Sequence, residues 1–323
     1  MSEQPDSSVP PSHASTNLLG WARRRQVDAQ GSDVRAEFAA AGIACIVIKG
    51  AGFAALLYDP GELRSYRDTD LLISEGDRAR AEALLRDLGF RDRTARGSHL
   101  APRPEYADTW TRETDGATID LHWRLPGTRA PATEVWAQLN RHTVTAMIAS
   151  LPGRVLDAPA SALLCALHVS LHGLDIARPV EDLNRALTRL PISTWQSAAT
   201  LAVRLDATEE FTDGLRLSPT GGEVADVLNL PRHPSVAARL NTRTSPSGAI
   251  SVQWALQHNR WRDRARFLFL ILFPPPTKLQ TRSALARRGA TGLTAAYFIN
   301  PFWVARRAPA AIRYWLAEAR RYD

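Results

Sequence analysis

Hydrophobic and polar positions follow two regimes along the chain. Before about residue 150, short apolar runs separate amphipathic stretches; from about 159 onward the spacing is helical. Residues 18–41 read as one or two helices. I-A-C-I-V-I-K (43–49) is a β-branched apolar run ending at Gly50, which predicts a buried strand followed by a turn, and A-G-F-A-A-L-L-Y (51–58) then has helical composition. D-T-D-L-L-I (68–73) predicts a second strand, and residues 76–89 a helix with Ala81, Leu84, Leu85 and Leu88 inward and Gly89 at its end. E-Y-A-D-T-W-T-R-E-T (105–114) and A-T-I-D-L-H-W-R-L (117–125) flank Asp115-Gly116, a hairpin signal. Helices are then predicted at 159–175, 180–190, 192–217, 250–272, 283–298 and 301–321, with a Pro/Gly/Ser-rich interruption at 218–249. The expected fold class is α+β: a small mixed sheet with helices over residues 18–150, followed by an all-helical domain over 151–323.

Composition adds limits. The chain of 323 residues is 45% hydrophobic and 23% charged, which excludes a fully disordered chain or a disulfide scaffold and leaves room for two domains. Residues 1–17 are polar and Ser/Pro-rich, so they read as a disordered tail rather than a signal peptide or membrane anchor. The longest apolar run, Phe267 to Phe273, falls far short of the roughly 20 residues a membrane span needs. Cys45 and Cys165 are too few for a framework, and a reducing cytoplasm is the expected compartment.

The net charge of +7 is unevenly placed: residues 251–323 hold 13 basic and 3 acidic residues, while residues 1–250 hold 27 and 30. Only two of the 40 cations are lysines, Lys49 and Lys278, so Lys49 stands out at the end of the first strand. There it precedes small residues at a helix start, where free N–H groups and the helix dipole favour a phosphate; a solvated lysine beside a turn glycine is the plainer alternative.

Asp68 and Asp70 alternate onto one face of the second strand, and Asp120, His122 and Arg124 share one face of the hairpin strand. Like charges side by side are costly unless a cation holds them, and a divalent metal is the strongest such partner. If the two strands are neighbours, Asp68, Asp70 and Asp120 converge on one or two Mg²⁺ (or Mn²⁺) ions, as phosphoryl-type transfer requires. The alternative has Asp68 capping a turn and Asp120 in a salt bridge at a sheet edge. Arg64 and Arg67, just before the pair, either meet nucleotide phosphates or offset the carboxylates.

The order I-K-G-A (48–51), Tyr58, L-R (63–64), D-T-D-L-L-I (68–73) and I-D-L-H-W-R-L (119–125) resembles a bacterial nucleotidyltransferase-like family of the polymerase-beta superfamily. H-V-S-L-H-G-L (168–174), E-D-L-N (181–184) and L-F-P-P-P (272–276) extend the resemblance over nearly all of residues 20–300. It implies a polymerase-beta-type core and a Mg²⁺-dependent nucleotidyltransferase, with ATP the expected triphosphate. By resemblance Asp68, Asp70 and Asp120 are the catalytic and metal-binding carboxylates, with Asp120 the base, and Lys49, Gly50, Arg64, Arg67 and His122 contact the nucleotide. Lys49-Gly50 stands where the wider superfamily has a Gly-Gly or Gly-Ser turn. The implied acceptor is a hydroxyl of a peptide or small natural product, and a biosynthetic enzyme is an expected partner.

In the helical half, His168 and His172 share a helix face at a spacing that suits a metal, but no third ligand is evident, so a pair lining the acceptor cleft is expected, with Asp182 nearby as partner or cap. The basic end, with Arg260, Arg262, Arg264 and Arg266 and an aromatic-rich final helix, suits a nucleic-acid surface, an anionic membrane, or a solvated arginine face over core residues Trp303, Tyr314 and Trp315. Helical spacing favours the last, and no nucleic-acid motif is present. Two further functions stay open: a non-catalytic scaffold for RNA, membrane or a partner enzyme, and kinase-like phosphotransfer.

Overall fold

The computed structural model describes residues 13–93, 106–240, 246, 248–257 and 261–321. Residues 1–12 of the expected tail, and Arg260, lie outside the described residues. Among the described residues seven strands form one sheet: β1 (Cys45–Val47), β2 (Thr69–Ile73), β3 (Phe90–Asp92), β4 (Ala107–Arg112), β5 (Ala117–His122), β6 (Thr143–Ile148) and β7 (Leu151–Leu156), in the order β3-β4-β5-β2-β1-β7-β6. The sheet is mixed. β2 runs parallel to β5 and β1 parallel to β7, and the remaining pairs are antiparallel.

Around it lie α1 (His13–Ala40), α2 (Ala51–Leu57), α3 (Arg78–Asp87) and α4 (Ala132–Arg141). Then follow α5 (Ala158–His172), α6 (Ala177–Arg189), α7 (Ile192–Arg204), α8 (Thr208–Arg216) and α9 (Pro219–Val227). The last are α10 (Val236–Leu240), α11 (Ala249–Gln257), α12 (Trp261–Leu272), α13 (Pro276–Arg282) and α14 (Gly289–Ala319).

Strand alternation divides the core. Odd-numbered residues such as Val47, Leu71 and Ile119 pack on α1 and α3 through Val34, Phe38 and Leu85. The other face, with Ile46, Ile48 and Leu72, packs on α5. That helix starts where the Asp157 side chain accepts the Ala160 N–H, carries Pro159 in its first turn, and buries Leu163, Leu164 and Leu167 completely enough to be the hub of the helical half.

Several expectations are corrected. The sheet runs on past residue 150: β6 and β7 form a hairpin, so residues 151–156 are strand rather than the start of the helical half. α1 begins at His13, inside the segment read as tail. The predicted 192–217 helix breaks at Leu205–Ala207, where Asp206 takes φ +49°, and the 218–249 interruption contains α9 and α10. α14 is continuous through Pro301 and Pro309. Tyr314 and Trp315 pack on a small core of Leu240, Ala249 and Ala311, but Trp303 is on the surface under Arg307, and Phe298 and Phe302 are 73% and 78% exposed. Helical spacing alone does not tell which face finds a neighbour.

Candidate active site

The register between β2 and β5 sets Asp70 directly opposite Asp120, on the sheet face that looks toward α5. They line a cleft of about 410 Å³ together with Lys49, Asp68, His122 and His168. The Lys49 Nζ donates to Asp70 Oδ1 at 2.6 Å, and His122 Nε2 meets the same oxygen at 3.0 Å. Both contacts use Oδ1, so neither engages Oδ2.

Burial acts to raise the Asp70 carboxyl, but the Lys49 ammonium and His122 outweigh it and hold Asp70 well below the usual carboxylate range. The reverse holds for Asp120: burial first, then the Asp70 charge, push its carboxyl up to about 7. Burial and the Lys49 charge lower His122, so the neutral imidazole donates to Asp70. Its ring lies nearly parallel to Tyr106, centroids 5.9 Å apart. Asp120 Oδ1 and His122 Nδ1 are buried without a hydrogen-bond partner.

Asp70, Asp120 and His122 bring their ligand atoms within 4.8 Å of one another. An orphaned carboxylate oxygen beside a second carboxylate and an imidazole fits a divalent metal ion. Asp68 lines the cleft but is outside this group. It precedes β2, where pairing begins, and so has no partner on β5, whereas His122 follows Asp120 on the same face and reaches Asp70.

Gly50 turns the chain out of β1 at φ +45°, a backbone that side-chain-bearing residues rarely adopt. Its carbonyl accepts Arg64 Nη1 at 3.2 Å. The rest of that guanidinium is committed to Asp182, Nε to Oδ1 at 2.9 Å and Nη2 to Oδ2 at 2.6 Å, and Tyr58 donates to the same Oδ1 at 2.9 Å. Arg64 therefore lines the cleft as a clamp between the Gly50 turn and α6.

Asp182, expected as a partner of the imidazoles or a helix cap, is fully buried, outside the cleft lining and bonded to Arg64 and Tyr58. Arg67 is exposed and does not line the cleft. His168 and His172 do line it, edge to face at 4.8 Å. Residues not anticipated there are Tyr106, Thr109 and Arg178. Thr109 pairs directly with Asp120 across the hairpin, and counting back from the turn would have found it only with the correct loop length.

Paired aspartates on neighbouring strands thus face a cleft beside a lysine-glycine turn. The chain belongs to the uncharacterised nucleotidyltransferase family, whose profile matches residues 5–220 and so stops short of L-F-P-P-P at 272–276. No curated protein matches. Among solved structures the chain is similar to the antibiotic-resistance factor ANT(2″)-Ia at 18% identity and a TM-score of 0.41, over 56% of this chain and 94% of that one. It is also similar to the lincosamide antibiotic adenylyltransferase LnuA in its lincomycin-bound form, at 15% identity and a TM-score of 0.36, over 49% of this chain and 94% of that one. An antigenic nucleotidyltransferase-like protein from Paracoccidioides brasiliensis gives 13% identity and a TM-score of 0.32, over 58% and 93%. Among the described residues no helix is long and apolar enough to cross a membrane.

Proposed function

We propose that the chain transfers a nucleotidyl group from a nucleoside triphosphate, with ATP the expected donor, to a hydroxyl of a peptide or small natural-product acceptor. The observation that carries this reading is the pairing of Asp70 with Asp120 across parallel strands, with Asp120 Oδ1 buried and unpartnered in the cleft. Asp70, Asp120 and His122 would hold a Mg²⁺ or Mn²⁺ ion, with Asp68 beside them; when bound, the ion supplies charge neutralisation to the triphosphate. Lys49 and the Gly50 turn meet the phosphates, and Arg64 holds that turn in shape. Asp120, opposite Asp70 in the cleft, accepts the acceptor hydroxyl's proton. The hydroxyl oxygen bonds to the α-phosphorus as the α-phosphorus bond to the bridging oxygen breaks, and the electron pair leaves with pyrophosphate. His168 and His172 line the acceptor side.

Incubating the protein with labelled triphosphates, Mn²⁺ and hydroxyl-bearing products of neighbouring genes tests this. Pyrophosphate release together with a product heavier by a nucleotidyl group supports it; a product heavier by a single phosphoryl group makes the chain kinase-like instead. A second reading, a non-catalytic binding protein, draws on the Lys49–Asp70 ion pair, which neutralises one carboxylate of the cluster without any ion. Under that reading ATP with Mn²⁺ gives no saturable binding.

A further inference from the structure

A second cavity, of about 150 Å³, lies beside the carboxylate cleft and shares Tyr106, Pro126 and Leu171 with it. Its apolar lining comes from Leu167 of α5 and from Ile250 and Trp254 of α11, beyond residue 220 where the family match ends. A cavity of that order holds a benzene-sized ring.

The charged groups around it differ in how they are matched. Glu210 receives Arg129 Nη1 on both oxygens, at 2.8 and 3.0 Å. Asp213 accepts the Ser235 N–H at 2.9 Å and its hydroxyl at 2.5 Å. Arg124 has no such partner. Its Nη2 reaches only the carbonyls of Thr128 and Ala130, its Nε is buried and unpaired, and among the described residues no carboxylate forms an ion pair with it. Arg124 lies two residues past His122, beyond the end of β5, and lines this cavity. The Glu75 charge reaches it without an ion pair, and burial outweighs that attraction; a partly desolvated guanidinium hydrogen-bonded only to carbonyls favours an anion, and its planar fork suits a carboxylate or phosphate.

We propose that this cavity is the acceptor subsite and that it takes a ring- or short-chain-sized apolar group bearing an anion that pairs with Arg124. The word acceptor rests on the nucleotidyl-transfer reading; the ligand class does not. The rival is a cationic ligand drawn by Glu210 and Asp213: Arg129 already pairs with Glu210, whereas Asp213 meets only the neutral Ser235, so an amine probe decides between the two.

Four probes on one phenylpropyl frame separate the two: 3-phenylpropanoate, 3-phenylpropyl phosphate, 3-phenylpropanol and 3-phenylpropylamine, each titrated calorimetrically into the full chain without nucleotide or metal. The expected result is one saturable site per chain for the two anions, at least tenfold tighter than for the alcohol and with no binding of the amine. The stronger of the two anions tells a carboxylate-bearing acceptor from a phosphorylated one. Arg124→Met removes the preference for anions and Arg124→Lys retains part of it. Because Arg124 also supports the 124–130 turn, Ile250→Glu on the opposite wall is the second variant, and it too abolishes anion binding. Amine binding as tight as that of the carboxylate, or anion affinity unchanged in both Arg124→Met and Ile250→Glu, overturns the proposal. If the probes behave as expected but ATP with Mn²⁺ does not bind, the transfer reading falls and the ligand class stands; if ATP binds and the variants leave the anions unaffected, the subsite falls alone.

Discussion

Lys49 and Gly50 do separate work at one turn: the ammonium neutralises Asp70, and the glycine supplies a backbone conformation that lets the chain leave β1 beneath the Tyr66 ring. Gly50→Ala is expected to cost about 1–3 kcal/mol through strain at positive φ, read as a lowered urea midpoint at unchanged m. Both residues were legible, one as a rare lysine and one as a strand-ending glycine. Asp182 was not, because its partner Arg64 lies 118 residues earlier and nothing local in E-D-L-N says which cation it meets. Glu210 is a second case that only the structure shows. Burial, stronger than the pull of Arg129, pushes its carboxyl up to about 7 from the ordinary 4.5. Between those values the native state keeps a proton that the unfolded chain releases, so this group's contribution to stability falls as pH rises from about 4.5 to about 7. Thermal melts of the wild type and Glu210→Gln across pH 5 to 8 check it: the substitution is expected to flatten the decline.

Among the elements, α6 is tied to the segment between α2 and β2 by the buried Arg64–Asp182 pair. Asp182→Ala leaves a buried guanidinium without its counter-charge, a change that typically costs about 3–5 kcal/mol, and a depressed melting temperature would show it. The strands explain what was hidden in the sequence. The β6–β7 hairpin turns at Ala149 and Ser150, both at positive φ without the Asn or Gly that usually announces such a turn, and β7 carries Pro152 and Gly153. The β4–β5 turn takes residues 113–116 rather than Asp115-Gly116 alone, pairing Arg112 with Ala117. The shared face of Asp120 and His122 was readable from alternation; that His122 rather than Asp68 completes the cluster depends on where β2 begins to pair, which no local pattern specifies.

For the whole molecule, α5 is the hub and the α14 surface is peripheral. Leu163→Ala is expected to cost about 2–5 kcal/mol, while Phe302→Ser, on a 78% exposed side chain, changes stability by no more than about 0.5 kcal/mol in the same denaturation series. The charge asymmetry fits this division, with a slightly acidic body around the carboxylate cleft and a strongly basic set of last helices. The role proposed for Asp70 and Asp120 is a nucleotide- and metal-binding centre. Calorimetric titration of ATP with Mn²⁺ into the wild type and Asp120→Asn tests it most directly. One saturable, metal-dependent site per chain is expected, weakened at least tenfold by the substitution while the protein stays folded; no saturable binding, or equal affinity in the two proteins, would contradict that role.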